Sequence, residues 1–147
     1  MDAIRQIVAS RIFLATLAAW ATAQGLKVLI YYIRFHKMNF RLFVGSGGMP
    51  SSHSSFVTCL AVSIGRAAGW ASPVFMLSLG IAFVIMSDAA GVLRAAGTQA
   101  HILNEMMEDY YRNKPFKPKR LKELLGHTPL QVVAGAFLGL VYALIFP

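Results

Sequence analysis

The chain has 147 residues, 56% of them hydrophobic and only 14% charged, with a mean hydropathy of +0.57. Soluble domains carry about 25% charged residues, so this composition argues against an ordinary soluble fold and for one solvated by lipid. Fourteen lysines and arginines stand against six acids, a net charge of +8. No aromatic-basic motif accompanies that excess, which excludes the usual nucleic-acid binders and points to anionic headgroups or a phosphate-bearing ligand.

The single cysteine, Cys59, sits in an apolar run, so no intrachain disulfide forms and redox chemistry is not expected. Asp2 and Arg11 interrupt the N-terminal apolar stretch, and no polar cleavage region follows, so it does not read as a secretory signal. There are no internal repeats and no low-complexity tracts. The expectation is one membrane-embedded domain over residues 1–147.

A bilayer core of about 30 Å takes roughly 20 apolar residues as a helix, and four segments approach that length. The first runs from Ile7 to Ile33 with Arg11, Gln24 and Lys27 embedded in it. A basic, glycine-rich loop over residues 34–51 follows, ending in "GSGGMPSSHSS". The second segment, Ser52 to Ala68, is short, and a tight turn from Gly69 to Ser72 leads to the third, Trp70 to Arg94. Beyond it, "TQAHILNEMMEDYY" predicts a short polar helix, and "RNKPFKPKRLKE" a linker whose prolines forbid regular helix. The fourth segment runs from Pro129 to Phe146. None of the apolar runs alternates with period two, so sheet is not expected. The predicted fold is all-α: an integral membrane bundle of about four transmembrane helices plus one short polar helix.

Four crossings put residues 34–51 and 95–126 on one face, with both termini and the 69–72 turn on the other. Arg34, Lys37, Arg41 and the bases from Arg112 to Lys122 load the first face, against Arg5, Arg11 and Arg66 on the second. The positive-inside rule makes the loaded face cytoplasmic.

Threaded this way, Lys27, His53, Asp88, Arg94 and His127 all arrive at that face. Ionisable groups inside spans are costly and default to a functional reading. Each also has a plainer role: Lys27 can snorkel to the interface, Asp88 and Arg94 can pair structurally, and the small residues of "DAAGVLRAAG" can serve close helix packing. Ser87, Gly91, Arg94 and Thr98 share one face of a continuous helix, which would turn Arg94 inward. His36 and His101 read as interfacial and inert.

Within the opening loop, Gly45, Gly47 and Gly48 permit backbone conformations closed to other residues. Pro50 suits a first helical turn and Ser51 and Ser52 can cap it, leaving free amides and a helix dipole to receive an anion, with His53 beside them. The plainer alternative is a capped helix start with a surface histidine. The stretch "LGHTPLQVVAG" repeats the design: Thr128 caps, Pro129 begins the helix, and His127 stands at its mouth. Two histidines, one as nucleophile and one as proton donor, with Lys and Arg on the equatorial oxygens, suffice for phosphoryl transfer. The few carboxylates and the missing Cys/His ligand spacing predict no metal site.

On "GGMPSSH", "DAAGVLRAAG" and "GHTP" the chain resembles a small divergent branch of the type 2 phosphatidic acid phosphatases, relatives of the vanadium-dependent haloperoxidases. The resemblance spans residues 20–140, with Pro50-Ser51-Ser52-His53 matching a P-S-G-H signature in which Ser52 replaces Gly. It implies His127 as nucleophile, His53 as general acid, and Lys27 with Arg94 as the phosphate clamp; Asp88, Ser51 and Ser52 are further candidates for binding the phosphate. Four residues after the nucleophile, where the family has Asp, stands Gln131, whose amide oxygen can hold the ring N–H but not stabilise imidazolium charge. Leu121, between Arg120 and Lys122, stands where the family has an arginine. The family core has six helices, so a four-helix chain implies a homo-oligomer or a site open to lipid.

The function expected is metal- and cofactor-free hydrolysis of a phospholipid or prenyl (pyro)phosphate monoester at the cytoplasmic face, through a phosphohistidine. Its alternatives are a phospholipid binder or carrier that keeps the pocket without turnover, and a purely structural helical subunit.

Overall fold

The computed structural model describes residues 2–38, 48–112, 121 and 126–146. Among the described residues there is no strand. The helices are α1 (Asp2–Ala9), α2 (Arg11–Phe35), α3 (Ser52–Ala68), α4 (Pro73–Ala90), α5 (Val92–Tyr111) and α6 (Pro129–Ile145). The all-helical expectation holds, but two of the predicted boundaries move.

The first apolar segment is two helices. Ser10 leaves helical geometry (φ −65°, ψ 123°) and its hydroxyl accepts the Phe13 amide at 3.5 Å, so it ends α1 and caps α2. Ile7, Val8 and Ala9 precede Ser10, and Ile12, Phe13 and Leu14 resume just beyond Arg11, so averaged hydropathy runs through the break without marking it. The third segment begins later and continues further than expected. Gly69 (φ 91°) turns the chain, Ser72 caps, and Pro73 opens α4. At Gly91 (φ −103°, ψ −80°) the chain leaves helical geometry for one residue and re-enters it at Val92. The predicted polar helix is therefore the far part of α5, which starts six residues ahead of Thr98.

Central α3 packs on α6, α4 and α2. Its contact with α6 is close because two glycines supply no side chain. A Cβ on Gly135 would run into the Ser51 carbonyl, and one on Gly139 into the Ser55 carbonyl and the Cys59 amide. Small residues four apart that let backbones touch are the usual device of helix pairs in lipid. The core is built of small side chains: Ala15, Ala19, Cys59 and Ala143 form one cluster, and Val57, Ala61 and Ala82 another. Hydroxyls tie the helices across it, Thr22 to Tyr142 at 2.6 Å and Ser55 to the Ala19 carbonyl at 3.2 Å. Arg66, on the last turn of α3, donates to the Ala143 and Leu144 carbonyls and so caps the free end of α6.

Large apolar side chains face outward instead, Leu77, Phe83, Leu130 and Phe137 each being about two-thirds exposed or more. Arg11–Phe35 and Pro73–Tyr111 are long and apolar enough to cross a membrane, and α6 is apolar over 17 residues.

Candidate active site

Two helix mouths meet at one end of this bundle. At the mouth of α3, Ser51 is extended (φ −69°, ψ 115°) and its hydroxyl accepts the Ser54 amide at 3.3 Å and the Ser54 hydroxyl at 3.0 Å. Ser52 then opens the helix and His53 follows it. Pro50 stands ahead of the cap rather than in the first turn, because Ser51 takes the capping position. Gly48 (φ 83°) lies over the Lys27 stem, 3.6 Å from where its own Cβ would be.

At the mouth of α6 the local sequence T-P-L-Q makes a reciprocal cap. The Thr128 hydroxyl accepts the Gln131 amide at 3.4 Å, and the Gln131 Oε1 accepts the Thr128 amide at 3.1 Å. Gly126 (φ 81°) passes so near the Leu93 and Arg94 backbone that no Cβ would fit. Between these anchors, the His127 amide donates to the Ala89 carbonyl at 2.8 Å. The two mouths are themselves joined, the Ser51 amide donating to the Gln131 carbonyl at 2.9 Å.

The consequence is that the His53 and His127 rings lie edge to face, centroids 5.8 Å apart and planes at 83°. Lys27, from α2, donates to the Ser52 hydroxyl at 3.0 Å. His127 is 1% exposed and Lys27 2%, whereas His53 is open to the outside. Burial, then the nearby Lys27 charge and then His53, lower the His127 pKa to about 4. The ring is therefore neutral at physiological pH, the state in which a nitrogen lone pair can attack. Neither ring nitrogen has a hydrogen-bond partner among the described residues. A buried neutral imidazole left unpaired is costly unless a ligand completes it.

Of the predicted site residues, Lys27, Ser51, Ser52, His53 and His127 converge. Asp88 and Arg94 have exposed side chains, and neither forms a hydrogen bond or ion pair with the cluster among the described residues, although the chain beside them, at Ala89 and at the Arg94 backbone, touches the His127 loop. Gly91, where the chain leaves helical geometry, lies on the face along which Arg94 was expected to turn inward. Arg94 contributes backbone instead, as the floor against which Gly126 packs. The expectation that Gln131 holds the His127 ring is also corrected, because its Oε1 is committed to the Thr128 amide. Gly45, Gly47 and the bases Arg41, Lys114, Lys117, Lys119, Arg120 and Lys122 lie outside the described residues. Leu121 is described: the buried Asn104 of α5 grips its backbone by two bonds of 2.8 and 2.9 Å. His101 pairs with Glu105 at 3.3 Å.

Sequence reasoning missed three contributors. Gly126 had a signal, a glycine immediately before the histidine, where a left-handed turn brings backbones together. The Gln131 cap also had one, since threonine followed three residues later by glutamine is a capping-box pattern. Nothing in the sequence pointed to the Ala89 carbonyl. Among the described residues no group of three His, Cys, Asp or Glu is placed to hold a metal ion.

The sequence profile described as "Divergent PAP2 family" matches residues 8–142. The chain is also 40% identical over 143 residues to "Uncharacterized membrane protein YuiD" of Bacillus subtilis (strain 168), with 90% of each chain covered. No solved structure matches it.

Proposed function

The chain belongs to the Divergent PAP2 family, and on that footing we propose that it is a membrane-embedded phosphatase, metal- and cofactor-independent, acting on a phospholipid or prenyl (pyro)phosphate monoester. The observation that carries this reading is the pair of rings 5.8 Å apart at adjoining helix mouths, with a buried lysine beside them. In the proposed topology α2, α3, α4 and α6 cross the bilayer and the site faces the cytoplasm. The substrate's tail lies along the exposed apolar helix faces while its phosphate reaches the mouths. The relative's name, a membrane protein, and the outward-facing large side chains support the location.

The chemistry assigned to these residues balances in two steps. A neutral His127 nitrogen forms a bond to phosphorus as the bond to the ester oxygen breaks; the electron pair stays on that oxygen, which takes a proton from protonated His53. Neutral His53 then takes a proton from water, whose oxygen attacks phosphorus, and the phosphorus–nitrogen bond breaks to release inorganic phosphate and neutral His127. Lys27, the Ser52 hydroxyl and the amides at the start of α3 neutralise the charge on the remaining oxygens.

Purified protein should release inorganic phosphate from phosphatidic acid or a prenyl phosphate in the presence of EDTA, and His127→Ala should release none. Hydrolysis by His127→Ala at the wild-type rate overturns the mechanism. A second reading, a phospholipid binder without turnover, is favoured by one observation: no described side chain stabilises charge on His127. Tight lipid binding with no phosphate release across a broad lipid panel selects it.

A further inference from the structure

The residue standing four positions after His127 does its work on main chain, not on the ring. An Oε1 at the third position of a helix has two places to go: back to the capping amide, or out to a ring just beyond the cap. In this structure it takes the first, and the bond is reciprocal, 3.1 Å one way and 3.4 Å the other. The Gln131 carbonyl accepts the Ser51 amide at 2.9 Å. One residue thus grips the peptide that follows His127 and, through its own backbone, the residue two ahead of His53. The remaining supports of His127 are also backbone: its amide on Ala89 at 2.8 Å, and Gly126 against Leu93 and Arg94. Meanwhile both His127 ring nitrogens, enclosed in a site 1% exposed, are unpartnered among the described residues.

We infer that Gln131 is a positioning residue that sets the spacing of the two histidines through the Thr128 cap and the Ser51 tie, leaving the His127 ring to be oriented by packing and by the bound phosphate. This rests on the phosphatase reading for its catalytic consequence, though not for the geometry itself. It changes what Gln131 is for. A ring-holding amide selects one tautomer of His127 before substrate arrives, whereas a cap leaves both tautomers open and fixes only where the ring sits. Thr128 and Gln131 then tie the same turn from its two ends, each side chain supplying one of the two bonds, so that either alanine substitution removes one bond and leaves the other.

The test uses full-length protein in detergent, in which only His36, His53, His101 and His127 carry histidine nitrogen label. Thr128→Ala, Gln131→Ala and their double are compared with wild type, alongside Thr128→Ser and Gln131→Glu, which keep a capping box. Each alanine variant should lower kcat about tenfold with little change in KM, the double should lower it further than either single, and the conservative pair should keep most of the wild-type rate. The His127 backbone amide should shift in both singles and furthest in the double. Its ring nitrogens should show averaged tautomers in wild type and in Gln131→Ala alike. A single wild-type tautomer that is lost in Gln131→Ala but kept in Thr128→Ala overturns the inference, as does a Thr128→Ala amide that does not move. If wild type releases no phosphate, the phosphatase reading fails, and the nitrogen shifts still decide the positioning claim.

Discussion

Replacing Gly135 or Gly139 by alanine should destabilise the protein, whereas the same change at Gly25 or Gly80 should stabilise it. All four glycines sit inside helices, where alanine is favoured over glycine by about 1 kcal/mol. At Gly25 and Gly80 nothing lies within 4 Å of the added Cβ, so the helical gain stands alone. At Gly135 the Cβ meets the Ser51 carbonyl, and at Gly139 the Ser55 carbonyl and the Cys59 amide. These are backbone atoms of a neighbouring helix, which cannot swing aside as a long side chain can. Overpacking of this kind costs about 1–3 kcal/mol, and relief requires α6 to move off α3. With the helical gain common to both classes, they should differ by roughly 1–3 kcal/mol. The open pair should lie about 1 kcal/mol above wild type, and the packed pair below it once the overpacking cost exceeds that gain. The assay is thermal unfolding of the purified variants in one detergent, with phosphate release measured on the same samples. Because Gly135 abuts Ser51, two residues ahead of His53, its variant should lose turnover out of proportion to its loss of stability. Equal melting temperatures for Gly135→Ala and Gly25→Ala would refute the close backbone contact.

Other expectations bear on charge. His127 has its pKa lowered to about 4 from an ordinary 6.5, so between those values the unfolded chain binds a proton that the folded chain refuses. Stability should be full above pH 6.5 and fall as pH drops toward 4, by roughly 3 kcal/mol in all. His127→Gln should flatten that slope in unfolding measured from pH 4 to 7.5, and an unchanged slope would show that another group is responsible. Lys27→Met removes the buried ammonium and should weaken vanadate binding, measured by calorimetry, about ten- to hundredfold; unchanged binding would take Lys27 out of the anion pocket. Arg66→Met should cost about 1 kcal/mol, read from thermal unfolding, by releasing the Ala143 and Leu144 carbonyls, with vanadate affinity unaltered.

Helix type and the meeting of the histidines were legible in the sequence because each rests on a local rule. Apolar runs of helical length, S-S-H after Pro50 and T-P at Thr128 all act within a few residues, and threading four such runs brings His53 and His127 to one end. The exposure of the Arg94 side chain was not legible, because Gly91, a glycine among small neighbours, reads equally as packing or as a break. Gln131 was misjudged for a different reason. Spacing from His127 suggests one bond and spacing from Thr128 another, and only geometry decides which of two satisfactory partners an amide takes. Ser10 illustrates a third kind of miss, a cap beside Arg11 within an otherwise apolar stretch, whose hydroxyl is silent in averaged hydropathy.

The junction of α3 with α6 has a bearing on how freely sequences of this kind diverge. Carbonyls and α-carbons meet at that seam at Gly135 and Gly139, the side chains beside them, Cys59 and Ala143, are small, and the large hydrophobes point away from it. Drift at those outer positions, as bilayers of differing thickness and lipid content select it, leaves the gap between the imidazoles unaltered. Homologues should accordingly tolerate wholesale exchange of their outer coats, grafted from one to another, provided two hydrogen atoms on α6 remain where a methyl group would otherwise be.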